Sequence, residues 1–569
     1  MKILIAFPLL IKFIFIIPIF VGILGILLPS FGYFPEIGGN ELNLEIFRQL
    51  VKEPNLQYSI LLTIFSGISS TFFSLIFAFF LAAMISSGEF LWRRGRIVTN
   101  FILVIKKGLI PLIALPHAAM ALGLAFLISP SGWLIRWLSS VFTKWETPPD
   151  WVTLQDPLGF TLIFGLVIKE IPYLLLMILI ALPQINYKKY LIIGHSLGYG
   201  LFDCWIKLIL PQVYPLIRLP IFAVLVFSLS VVDVALILGP TTPTTLSILV
   251  MQWMDNPNMN YRFIASACAL LLFFVCLLSI TVWRFFEWYI FEKLKNWKIN
   301  GKRSSGKILK NFTSFLGSFL LIISIFNILC LLIWSFAQRW SFPNLFPSIW
   351  TFNNWTRHWS SLQETIKTTL EVGIISSAIA LFLVVGFLEN EQQIKSKVKF
   401  NSFWLIYLPL LVPQPTFLLG IQILSISLNF DGTLLFLVWS HLLFVLPYIF
   451  LSLSKPWQSL DKRFLTTAQC LGSSPFRNLF RIKLPILLRP LLVALAIGFS
   501  VSFAQYLPTI FAGRGRFATL TTEAVSYASS ADWRIIGVYA FLQSFLPFTV
   551  ILLALFIPKW LYRHRSAMS

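Results

Sequence analysis

Apolar residues in this chain fall in long runs separated by shorter polar stretches. The runs lie near 4–28, 58–86, 108–128, 157–183, 214–238 and 263–286, then near 313–336, 366–388, 403–427, 432–454, 488–511 and 536–558. A helix needs about 20 mostly apolar residues to cross the hydrocarbon core of a bilayer. Each run is long enough, and far longer than the ~10-residue alternating strands of a membrane barrel. Only helices and closed barrels satisfy their backbone in lipid. The pattern therefore predicts an all-α, polytopic transmembrane helical bundle of about twelve spans. The first run, with Lys2 before it and Lys12 inside it, exceeds the ~7–15-residue apolar core of a signal peptide and lacks a clean Ala-x-Ala site. It is read as an uncleaved span.

Composition agrees. Of 569 residues, 57% are hydrophobic and 12% charged, half the share of about 25% in an ordinary soluble domain. That is too little charge to clothe a soluble globule, and it disfavours a soluble enzyme or a disordered chain. The five cysteines (Cys204, Cys268, Cys276, Cys330, Cys470) form no Cys-x-x-Cys pair, so neither a zinc site nor a disulfide framework is suggested.

The net charge of +22 resembles a nucleic-acid signature until its placement is examined. Segment 88–107 carries Arg93, Arg94, Arg96, Lys106 and Lys107. Segment 287–311 carries Lys293, Lys295, Lys298, Lys302, Arg303, Lys307 and Lys310. Lys395, Lys397 and Lys399 follow the eighth run, and Lys559, Arg563 and Arg565 lie in the tail. With twelve spans these all share the side of the N-terminus. The alternate loops are mixed or acidic, with Glu36, Glu41, Glu45 and Glu53 in one and Glu146, Asp150 and Asp156 in another. The positive-inside rule then puts both termini in the cytoplasm. The basic run near the middle is a solvated linker, and the partners expected are membrane lipid and no nucleic acid.

The chain repeats itself. Residues 191–211 (LIIGHSLGYGLFDCWIKLILP) align without a gap on 465–485 (LTTAQCLGSSPFRNLFRIKLP), sharing Leu191/Leu465, Leu197/Leu471, Gly198/Gly472, Phe202/Phe476, Leu210/Leu484 and Pro211/Pro485 at an offset of 274. The offset persists at Ser228/Ser502, Gly239/Gly513, Thr245/Thr519 and Leu246/Leu520. It is 275 at Pro172–Tyr173/Pro447–Tyr448, 297 at Pro116/Pro413 and Gly123/Gly420, and 306 at Gly67/Gly373. The first copy thus carries extra residues, mostly in the outer loop 129–156. The expected organisation is a first half at 1–290, a cytoplasmic basic linker at 291–312 and a second half at 313–569. Each half holds six spans, and the halves run parallel about an axis along the membrane normal.

The repeated segments, about 190–213 and 464–487, join the fourth and fifth span of each half on the cytoplasmic side. Each reads as helix, glycine turn, short amphipathic helix, proline. Glycine supplies positive φ at the turn without steric cost. The i,i+4 spacing puts Phe202 and Ile206, or Phe476 and Phe480, on one face. Asp203 and Lys207, or Arg477, Arg481 and Lys483, form the opposite edge. Pro211 and Pro485 can open the next span. A small apolar knob with a polar rim suits docking into a groove on a soluble partner.

With its glycine followed by a proline thirteen positions on, this loop resembles the "EAA" loop of bacterial ABC importer permeases, whose pattern is Glu-Ala-Ala-x-x-x-Gly and then a proline. In that family the loop is the coupling helix that sits on the ATPase subunit. Gly198, Gly472, Pro211 and Pro485 match, while the Glu-Ala-Ala positions are Ile192–Gly194 and Thr466–Ala468, so the acidic residue is lost from both copies. Two fused halves resemble the ferric-iron and thiamine importer permeases. LPHAAMALGLAF (115–126), LVIKEIPYLLLM (166–177), VVDVALILGPTTPTTL (231–246), VPQPTFLLG (412–420) and AQYLPTIFAGRGRFATLTTEA (504–524) narrow the likeness to the Ynj-type permeases associated with thiamine transport. The resemblance implies two MetI-like halves in a bacterial inner membrane, a separate ATPase in two copies on the cytoplasmic face, and a periplasmic solute-binding protein. It also implies a solute such as thiamine or a related cation.

The chain itself has no Gly-x4-Gly-Lys-Ser/Thr phosphate loop, so ATP is expected on the partner, no cofactor is expected here, and the chain is not itself an enzyme. Ionisable groups inside spans are costly and usually face a cavity or a partner. The candidates for the path or its gate are Lys169, Glu170, Asp233 and His441, with the breaks at Gly239 and Gly513. His117 reads as a bundle histidine, and Glu371 is a further intramembrane acid. The competing reading is a secondary transporter driven by an ion gradient, which wants midplane acidic relays and leaves the duplicated loops without a role. A polytopic enzyme would need convergent His/Asp/Glu clusters, and the five histidines are dispersed.

Overall fold

The computed structural model describes residues 2–91, 115–301, 307–393, 402–529 and 532–563. Among the described residues nine helices are long and apolar enough to cross a membrane: Ala6–Ser30, Leu56–Ser86, His117–Thr143, Phe160–Ile185, Tyr261–Trp297, Phe315–Phe336, Trp359–Gln393, Leu434–Ser459 and Trp533–Leu561. They cover nine of the expected runs. The fifth and eleventh runs belong to bent pairs, Trp205–Leu216 with Arg218–Ser230 at 69° and Pro475–Ile486 with Leu488–Phe503 at 78°. The ninth is divided into Ser402–Leu411 and Gln414–Ser427. The fold is that of a helical, multi-pass membrane protein.

The departures from plain spans have local causes. Pro116 and Pro413 are extended (ψ 148° and 130°) and start the helices after them, because proline lacks an N–H and pushes its predecessor out of the helical region. The fifth run stops being one helix at Val231 (ψ 137°), and Asp233–Leu238 follows as a separate piece. The eleventh run breaks likewise between Leu488–Phe503 and Leu507–Gly513. Lipid offers no partner to a freed carbonyl. Ser247 therefore donates to the Val231 carbonyl at 2.7 Å, and Thr521 donates to that of Phe503. The expected outer loop 129–156 is partly helical, at 133–143. Part of the expected linker 291–312 is helical, because one helix runs to Ile299 and the next begins at Lys307. The all-helical expectation also misses a two-stranded antiparallel pair, Ala337–Arg339 with Ile349–Trp350.

The first helix of each half lies against the other half. Ile17–Ser30 meets Gln414–Ser427 so closely that a Cβ at Gly420 would collide with the Gly22 carbonyl, and one at Gly25 would lie 2.7 Å from the Gly420 oxygen. Trp439 donates to the Ile14 carbonyl at 3.1 Å. In the mirrored contact, Lys307–Phe336 meets His117–Ile128. There a Cβ at Gly123 would strike Asn327, whose amide donates to the Met120 carbonyl at 2.8 Å. Gly123 and Gly420 are the pair matched in sequence at offset 297. Small residues let membrane helices approach this closely, so Ile17–Ser30 is locked against Gln414–Ser427 and Lys307–Phe336 against His117–Ile128.

One end of the bundle gathers both glycine loops. Lys207 donates to Asn300 at 3.1 Å, beside the start of the linker. Lys483 pairs with Glu389 near the end of Trp359–Gln393, and Tyr562 donates to the Pro485 carbonyl at 3.4 Å. Lys293 and Lys295 are exposed at this end. Arg93, Arg94, Arg96, Lys106, Lys107, Lys302, Arg303, Lys395, Lys397, Lys399 and Arg565, on which the orientation argument leaned, lie outside the described residues.

Candidate functional site

The two glycine loops have the same backbone. After Tyr187–Ser196, Gly198 adopts φ +78°; after Lys462–Cys470, Gly472 adopts φ +79°. Three hydrogen bonds close each turn: Leu197, Gly198 and Tyr199 N–H to the carbonyls of Ile193, His195 and Gly194, and Leu471, Gly472 and Ser473 N–H to those of Thr467, Gln469 and Ala468. Every donor and acceptor recurs at offset 274. This is a Schellman-type helix end, which glycine favours. A short helix, a π turn and a further helical turn follow in each loop, Leu201–Cys204, Trp205–Ile209 and Leu210–Val213 in one, Pro475–Asn478, Leu479–Lys483 and Leu484–Ile486 in the other. Pro211 and Pro485 sit early in the last piece rather than at the start of the next span, which begins after a bend at Arg218 and Leu488.

The side chains differ more. Phe476 (73% exposed) and Phe480 pack with ring centroids 4.7 Å apart and planes tilted at 50° on the second loop, and Leu471 before the glycine is 83% exposed. Arg477 and Arg481 are exposed beside them. On the first loop Ile192, Ile193 and Leu197 are exposed, while the Phe202 side chain lies outside the described residues. Asp203 and Lys207, expected on an outer rim, are buried instead. The cause is the neighbouring long helix: Lys207 reaches Asn300 and lies 4.9 Å from the Trp297 ring and 5.4 Å from Tyr199. Lys483 is also buried, paired with Glu389 at 2.5 Å and Gln392 at 2.7 Å.

Inside the bundle, Lys169 and Glu170 are buried and diverge. Lys169 donates to the carbonyl of Leu115, freed by the break at Pro116. Glu170 meets His117 at 3.2 Å, which makes His117 part of a polar pair. Asp233 is buried at the start of Asp233–Leu238, within electrostatic reach of His117. Past Gly239, Asp255 lies between Leu246–Met254 and Tyr261–Ile299, where burial pushes its carboxyl above the usual range and Arg262 opposes the shift. His441 is elsewhere. Its nitrogens meet Ser502 at 2.8 Å and Thr509 at 3.0 Å, both in the second half, so it binds three helices together. Gly239 and Gly513 are buried at the ends of matching short helices, where a Cβ at Gly239 would lie 2.6 Å from the Ala235 oxygen. Glu371 is half exposed, 3.8 Å from Lys367.

Sequence reasoning missed three features. Thr63 accepts from the Leu246 N–H at 3.0 Å, and Thr369 from the Leu520 N–H at 3.0 Å; these sit at offset 306, the offset suggested by Gly67/Gly373. Trp205 donates to Ser86 at 2.8 Å. Tyr173 and Tyr448 face each other with ring centroids 6.4 Å apart. The Pro172–Tyr173/Pro447–Tyr448 match at offset 275 carries the signal for that pair.

No protein-family model matches the chain. Among curated proteins, the inner membrane ABC transporter permease protein YnjC of Escherichia coli (strain K12) is 32% identical over 455 residues, 79% of this chain and 80% of that protein. A spermidine/putrescine transport system permease protein PotC homolog of Mycoplasma pneumoniae is 26% identical over 154 residues, 27% of this chain and 54% of that protein. The chain therefore spans about half the length of the latter.

Proposed function

The chain belongs to the inner membrane ABC transporter permeases, and on that premise we propose that it is the permease subunit of an importer, built as two fused halves at 1–290 and 313–569. The loops at 190–213 and 464–487 are its two contacts with a separate ATPase on the cytoplasmic face. The carrying observation is the duplicated glycine turn, with matching φ and hydrogen bonds in both copies. A loop used once has no reason to keep its backbone in duplicate.

Two ATPase copies, one per loop, would close on ATP and move both loops together. The halves would then rock about their seam, opening the path to one side and then the other. Solute arrives on a periplasmic binding protein, and both termini are cytoplasmic. The solute is an organic cation, of which thiamine is one. This fits a path whose buried carboxylates, Glu170 and Asp233, come from the first half while valine and leucine stand at the matching positions 445 and 507. It also fits the name of the relative assigned to spermidine and putrescine.

The test is co-purification. Phe476→Glu places a charge on the most exposed ring of the second loop. It is expected to abolish ATPase association while the permease still inserts into the membrane. Undiminished association would remove the docking assignment.

A further inference from the structure

Tyr173 and Tyr448 each follow a proline inside a long helix, Pro172 in Phe160–Ala181 and Pro447 in Leu434–Ser459. They occupy matching positions of the two halves, and their rings meet edge to face at 60° with centroids 6.4 Å apart. Matching residues of two related units touch each other only where the symmetry axis passes between them. In a two-half permease that axis is the path.

Three further observations converge there. The Tyr173 hydroxyl is buried without a hydrogen-bond partner among the described residues, although buried hydroxyls are normally paired. Glu170 lies one turn earlier on the same helix, and i,i+3 positions share a face. Tyr407 and Tyr448 are both within electrostatic reach of Tyr173, and Glu170 is within reach of both Tyr173 and Tyr448. Glu170 has basic neighbours: Lys169 acts on it electrostatically while donating to the Leu115 carbonyl, and His117 meets it at 3.2 Å through one ring nitrogen, so a cation in the path competes with both for this carboxylate.

We propose that Tyr173 and Tyr448 close the translocation path on its axis and that, with Glu170, they form a waypoint for an organic cation. The proposal rests on the two-half permease reading. Ring faces attract cations, and the carboxylate adds an ion pair in a site of low dielectric. A small, strongly hydrated metal ion would want six or more oxygen ligands, which tyrosine rings do not supply. A large cation with spread charge loses little water and gains the rings. An anion meets ring faces and a carboxylate of its own sign.

The experiment uses the full chain carrying Tyr173→Cys, with exposed Cys470 as the internal standard. It compares two thiol reagents of similar size, methanethiosulfonate ethyltrimethylammonium and the anionic methanethiosulfonate ethylsulfonate. Relative to Cys470, the cationic reagent is expected to modify position 173 about tenfold faster, the effect of one nearby carboxylate. Glu170→Gln should erase that preference. Tyr448→Cys, probed from the other half, should show the same dependence on Glu170. A preference absent at both positions, or insensitive to Glu170→Gln, overturns the cation waypoint. Failure of both reagents to react, even with the ATPase turning over ATP, makes the tyrosines core packing and overturns the gate. Loss of ATPase association is read separately and bears on the permease reading alone.

Discussion

The loop at 190–213 is held to the bundle by Trp205, which donates to Ser86, and by Lys207, which lies among Asn300, Trp297 and Tyr199. The loop at 464–487 is held by Lys483, paired with Glu389 and Gln392 over the Trp457 ring. Ser86 and Gln392 occupy matching positions at offset 306, so both loops hang from the end of the same helix of their half. The backbone of the two loops is the same; the anchoring chemistry differs, an indole–hydroxyl bond in one and a buried ion pair in the other. A glycine turn is set by local dihedrals and tolerates few substitutes. An anchor only has to fill and satisfy one contact, and several residue pairs can do that.

This contrast can be broken at its largest effect first. Glu389 and Lys483 are 1% and 3% exposed. Glu389→Ala leaves an uncompensated buried ammonium and is expected to cost about 3–5 kcal/mol, read as a lowered Tm of the purified permease. Glu389→Leu with Lys483→Met should recover most of it. In the first loop Ser86→Ala strands only a neutral indole N–H, at about 1–3 kcal/mol. Equal losses in the two halves would mean that the anchors are energetically alike after all.

The shared backbone predicts the opposite, equality. Gly198→Ala and Gly472→Ala each force an L-residue into the left-handed region, at about 1–2 kcal/mol, and no atom lies within 4 Å of a Cβ at Gly472 to complicate the second. Clearly unequal shifts in Tm would end the case for matched turns. The smallest expected effects are those of Thr63→Val and Thr369→Val, each removing a buried hydroxyl that accepts a backbone N–H at 3.0 Å and donates to the carbonyl four residues earlier. They should match each other at about 1 kcal/mol. A loss confined to one half would show that the offset of 306 is not a structural equivalence.

Much of this was legible in the residues. Twelve apolar runs, the repeat and both glycine turns follow from local patterns, and the turns appear where Gly198 and Gly472 stand. The breaks at Pro116 and Pro413 had a visible cause, but those at Val231 and after Phe503 did not, since the apolar run continues across them. The amphipathic pattern around Asp203 and Lys207 showed that two faces exist and not which one the long helix would cover. His441 and Glu170 looked alike as intramembrane polar residues. One is satisfied by two hydroxyls within its own half, while the other lies beside the seam.

By itself, then, the sequence determined the class, the span order, the duplication and the turn geometry, because hydropathy and backbone dihedrals are properties of neighbours in the chain. The tertiary structure alone decided which half each first helix lies against, what anchors each loop, and that Tyr173 meets Tyr448. Those outcomes depend on residues such as Gly22 and Gly420 that become neighbours only when helices pack, and packing rewards close fit between surfaces that no local pattern records.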